Sequence, residues 1–95
     1  MAYTTIDNPE LYFQTKIYTG NATARAITLD GSENMQPDWI WFKQRSGTEN
    51  HNLFDSVRGV GKQLESNANS AETATSLQTA FGTNGFSIND AAELN

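Results

Sequence analysis

The chain contains no cysteine. That removes any disulfide framework and any thiolate metal site, although it leaves the compartment open. Basic residues are few: six Lys and Arg stand against eleven Asp and Glu, for a net charge of −5. Such a surface argues against nucleic acid and against anionic membranes as partners. No apolar run approaches the ~20 residues of a membrane span. The first residues lack the basic and apolar regions of a secretory leader, so the sequence reads as a protein made in a cytoplasm. There is one histidine, His51, too few for a multi-histidine metal site. Lys, Glu and Leu are scarce while Thr, Asn and Ser are common. That balance suits a strand- and turn-rich fold better than a helical one. At 95 residues the chain is one domain at most. It would bury only roughly 60–65% of its unfolded surface, enough for one modest core.

The most structured-looking stretch is Gln36 to Gly59. Trp39-Ile40-Trp41-Phe42 is apolar in both side-chain parities, and a strand of that kind is usually covered on both faces. Trp39, Trp41, Phe42 and Phe54 are therefore expected in the core, with Arg58 at the bend that returns the chain. Pro37 sits at the strand start, where a missing N–H matters least. A loop at 45–50 leads to a return strand from His51 to Val57. Asn52, Phe54 and Ser56 share one face of it; Leu53, Asp55 and Val57 share the other. Upstream, Thr15–Gly20 and Ala24–Leu29 read as a hairpin about Gly20-Asn21. Downstream come a short strand over 62–66 with Leu64 inward and an extended polar loop over 67–76. A hairpin then turns at Gly82-Thr83-Asn84-Gly85, and a polar tail runs over 89–95. Asp7-Asn8-Pro9-Glu10 carries helix-start chemistry: a cap residue, a proline in the first turn and an acid. The total is about seven short strands, which predicts an all-β antiparallel sandwich or jelly roll over residues 15–95 behind an N-terminal helix or arm over 1–14.

Reaction chemistry is missing. Asp30 to Asn34 lacks the oxygen-ligand spacing of a calcium loop. Gly59-Val60-Gly61-Lys62 lacks the spacing of a phosphate loop. No acid pair for glycoside hydrolysis stands out among the eleven acids. Asp55 with Arg58 fits a local ion pair fixing a bend better than a ligand site. The expectation is no catalytic residue, no metal and no cofactor. Exposed on one sheet face, Trp39 and Trp41 would instead form a platform for stacking sugars or bases.

Four ordered motifs carry a resemblance. Tyr18-Thr19-Gly20-Asn21, Gln36 to Lys43, Leu53 to Gly59 and Phe81 to Ser87 resemble a module of tail fibres and other virion appendages in tailed bacteriophages, marine ones especially. The resemblance covers nearly the whole chain and implies a lectin-type jelly roll of the concanavalin/SPRY kind, without catalytic residues. Related chains continue into a further aromatic strand. This sequence would then be the N-terminal part of such a module, or a shortened virion component, and a sandwich lacking that strand has an open edge that invites pairing. The resemblance implies a virion structural protein, homo-oligomeric, contacting other virion proteins and a host-surface glycan. The rival readings are a capsid decoration protein and a glycan-binding lectin-like module. The arm, with Tyr3, Leu11, Tyr12 and Phe13, is the expected docking segment.

Overall fold

The computed structural model describes residues 7–95; Tyr3 and the beginning of the expected arm lie outside them. Pro9–Leu11 forms a single 3-10 turn. Its start follows from the cap: Asn8 Oδ1 accepts from the Glu10 N–H at 3.1 Å, and Pro9 supplies a pre-set φ where no N–H is needed.

Seven strands follow: β1 Arg25–Thr28, β2 Trp39–Phe42, β3 Asn52–Asp55, β4 Lys62–Glu65, β5 Thr73–Ala74, β6 Gln78–Gly82 and β7 Gly85–Ile88. They form two antiparallel sheets, ordered β1-β7-β6 and β2-β3-β4-β5. The fold is all-β, a small β-sandwich. Between the sheets Ile27, Phe86 and Ile88 meet Ile40, Phe42 and Phe54. Phe42 joins the layers, edge to face with Phe54 at 5.8 Å and with Phe86 at 5.1 Å. The β6–β7 hairpin turns at Thr83-Asn84, where the sequence places it.

Four expectations need correction. Trp39 and Trp41 are not core residues: each is 53% exposed, and the opposite parity, Ile40 and Phe42, is buried. The three-stranded sheet covers one face of β2 only. No strand forms at 15–20. That segment does run beside β1, with Lys16 paired to Asp30 at 2.7 Å and the Arg25 guanidinium bonded to the Thr19 carbonyl. Among the described residues no backbone hydrogen bond joins the two. The Asn21 side chain accepts the Thr23 N–H, and Ala22 turns at φ 54°, which gives a wide local turn in place of a tight ladder.

Leu64 points outward and Gln63 inward. Register sets this, because Leu64 faces Leu53 on the outer side of β3. Gln63 and Asn52 satisfy each other inside, through the Gln63 amide and Asn52 Oδ1. The tail is docked as well as polar: Leu94 is buried in the core, and Asn95 Nδ2 donates to the carbonyls of Thr23 and Asn89.

Candidate functional site: an aromatic trough at an open sheet edge

Among the described residues, β2 is the outermost strand of its sheet. Its register with β3 pairs Trp39 with Asp55, Ile40 with Phe54, Trp41 with Leu53 and Phe42 with Asn52. The Ser56 N–H donates to the Asp38 carbonyl at 2.8 Å, one step outside that register. Bonded and non-bonded pairs alternate in an antiparallel ladder. Asp38, Ile40 and Phe42 therefore turn their peptide groups toward β3. Trp39 and Trp41 turn theirs to the free edge. Pro37 has the same parity as the tryptophans, so its missing N–H also falls on the open side, where proline is tolerated.

Beside this edge lies a trough of about 570 Å³. Trp39 and Trp41 of β2, Leu11, Tyr12 and Phe13 of the arm, and Leu29 and Phe86 all line it. The expected docking arm and the tryptophan strand thus face a common hollow, which the sequence did not reveal. A second hollow of about 640 Å³ continues past Lys16, which lines both, toward Phe42, Lys43 and Arg45. Tyr12 and Phe13 are both 67% exposed, and Leu11 is 45% exposed.

The arm wall is anchored, not loose. The Gln14 amide donates to the carbonyls of Glu10 and Glu33, both at 2.8 Å, and its Oε1 accepts the Gly31 N–H. Glu10 Oε2 accepts from the Ser32 hydroxyl and from the Ser32 N–H, the latter at 2.6 Å; the hydroxyl bond first, then the backbone bond, hold the Glu10 carboxyl below its ordinary pKa. The tryptophan wall is also fixed. Trp39 and Trp41 stand edge to face at 5.9 Å, and Trp41 Nε1 donates to His51 Nδ1 at 2.8 Å. His51 therefore orients a tryptophan. On the sheet's outer face Trp41, Leu53 and Leu64 lie in one row across three strands.

Arg58 lies away from the trough. Its Nε donates to Asp55 Oδ2 at 2.5 Å and its Nη1 to Glu72 Oε2 at 3.1 Å. Its backbone N–H also donates to Asp55 Oδ1 at 2.8 Å. The backbone bond first, then the side-chain bond, hold Asp55 below its ordinary pKa. This is the bend-fixing ion pair expected from the sequence, and it ties the β3–β4 turn to the segment before β5. Phe42 and Phe54 are core residues, as expected.

The charge is uneven. Lys16, Lys43 and Arg45, three of the chain's six basic residues, line the second hollow together with Glu93, and Lys16 is itself paired to Asp30. Lys43 Nζ bonds to the carbonyls of Gln44 and Gly47. At the other end of β2 the Asp38 carboxylate accepts from the Ser56 hydroxyl at 3.1 Å. The edge is thus acidic at its start and basic past its end. Exposed apolar walls, unpaired peptide groups and fixed end charges suit contact with another chain; they do not assemble a nucleophile and a base.

A profile for a domain of unknown function (DUF7483) matches residues 8–95. No curated protein and no solved structure matches the chain.

Proposed function

Since the chain belongs to the DUF7483 family of domains, its role must be read from its own surfaces, and we propose that it is a non-enzymatic structural module of a tailed-bacteriophage virion appendage. It works by contact, in assembly and in host attachment. One observation carries the contact reading: the open edge of β2 and the exposed residues of the arm line the same apolar trough. The virion assignment rests on the four ordered motifs that resemble tail-fibre modules.

In this reading the arm docks the module onto the virion and the sandwich presents its edge and loops to neighbours. The test is location. Antibody labelling of intact particles should place the protein on the tail or its fibres. Labelling spread over the capsid would make it a decoration protein instead. Deleting residues 2–14 should abolish incorporation into particles while the strand signature in circular dichroism persists. Normal incorporation of that variant would refute the docking role.

A second reading is favoured by the exposure of Trp39 and Trp41. The loops at 45–50 and 67–76 converge beside them, through Asn67 Nδ2 to Asn50 Oδ1 at 2.9 Å and the His51 N–H to Asn67 Oδ1 at 3.0 Å. A tryptophan face next to amide side chains suits stacking of a host-surface sugar. A glycan array with the wild type and Trp39→Ala decides it; no signal above background removes this reading.

A further inference from the structure

We propose that two copies of this chain pair through β2, antiparallel about a two-fold axis at Ile40, joining their four-stranded sheets into one of eight. The geometry restricts the register closely. Within β2, Trp39 and Trp41 turn their peptide groups toward the open edge, and Pro37 and Lys43 share that parity on either side, so inter-copy hydrogen bonds run among residues of this set. A one-residue slip would oppose Trp39 with Phe42, placing an edge-facing residue against one already bonded to β3. It would also set outward side chains against inward ones. Three registers centred on Trp39, Ile40 or Trp41 satisfy both conditions. One puts Ile40 on the axis and pairs Trp39 of each copy with Trp41 of the other. Another puts Trp41 on the axis and pairs Trp39 with Lys43. The third puts Trp39 on the axis and opposes Trp41 with Pro37, which has no N–H to donate.

The first register makes better use of the surface. Both tryptophans of each copy then share one continuous outer face with those of the second, and each half-exposed ring loses water contact. Ile40 and Phe42 of the second copy turn toward the trough, above Phe86. The edge is self-complementary in charge. Antiparallel pairing carries the Asp38 end of one strand to the Lys43 and Arg45 end of the other, the reverse of what a parallel pairing would do. Because the contact is isologous, it closes after two copies and does not propagate into a fibre along this edge. This inference stands apart from the virion reading: pairing is read in solution, whereas the virion reading is tested in particles.

The experiment uses sedimentation velocity across a micromolar concentration series, with tryptophan emission recorded in parallel. The only two tryptophans both lie on β2. The wild type should sediment as a dimer at the upper concentrations, with emission moving to shorter wavelength as the dimer forms. Trp41→Pro removes an edge-facing N–H and leaves the β2–β3 bonds in place. It should weaken association by roughly tenfold or more, since each dimer loses two donors. Its far-ultraviolet circular dichroism should match the wild type. Should Trp41→Pro fail to fold, Trp41→Lys, a charged edge residue, takes its place with the same expected loss. Register is read by oxidising an equimolar mixture of Trp39→Cys and Trp41→Cys, in a chain with no other cysteine. The mixed disulfide should dominate. A wild type that stays monomeric, or a dimer that survives both Trp41 substitutions, overturns the proposal; a dominant Trp41→Cys self-disulfide overturns the register with Ile40 on the axis.

Discussion

Replacing Phe54 with alanine tests which face of the second sheet is covered. Phe54 is fully buried, opposes Ile40 across the ladder and meets Phe42 edge to face at 5.8 Å. A buried Phe→Ala change costs about 3–5 kcal/mol in transfer and cavity terms. A domain of this length has on the order of 5–14 kcal/mol of stability in total. The variant should therefore lose a large share of it. At about 4–8 °C per kcal/mol, the melting temperature should fall by at least ~12 °C. Trp39→Thr is the paired control on the other face. It gives up an exposed ring whose partners are the Trp41 edge and a cross-strand contact, a loss of about 1–2 kcal/mol. Urea unfolding followed by circular dichroism, at concentrations too low for association, measures both. Should Trp39→Thr prove the more damaging, the buried and exposed faces of β2 are the reverse of those described here.

Other measurements bear on particular contacts. Leu94→Ala should destabilise by about 2–5 kcal/mol, as for a core leucine; a loss near zero would mean that the tail is not docked. Gly61→Ala should cost about 1–3 kcal/mol, because φ is +73° and the added methyl would run into the Thr75 carbonyl oxygen; Gly59→Ala, at φ +99° but in open space, should cost less. Asp55 has a folded-state pKa below its unfolded one. Its contribution is present above the ordinary carboxylate range and is lost as pH falls through the folded value. Asp55→Asn should flatten the acid limb of the urea midpoint against pH, and an unchanged limb would count against the Arg58 bonds.

Most strand positions were legible because turn chemistry is local; the pairing of β1 with β7 was not. Gly82 to Gly85 demands a hairpin, and Asp55 with Arg58 closes a bend, whatever packs around them. The covered face of β2 was not legible. Trp39-Ile40-Trp41-Phe42 is apolar in both parities, so periodicity gives no preference, and the decision falls to the distant Phe86 and Ile27. Leu64 was misplaced for a related reason: a lone leucine between polar residues looks inward-facing until register puts it opposite Leu53. The segment at 15–20 shows strand-like alternation, but the Asn21 side chain takes up turn bonds. Leu94 was hidden in a polar tail, and single apolar residues carry no period. The trough depends on residues more than twenty positions apart along the chain, and no local pattern joins Phe13 to Trp39.

The alternation of peptide groups along β2 also has a consequence in time. Amides of Ile40 and Phe42 are closed off by β3, while those of Trp39 and Trp41 meet solvent whenever the edge is vacant. Placed in heavy water, the strand should exchange deuterium in a two-residue rhythm, fast at the tryptophans and slow between them. Anything that occupies the edge, a second copy or another chain, would silence the fast beats and leave the slow ones unchanged. Four consecutive amides thus form a built-in clock for occupancy, with its reference alongside.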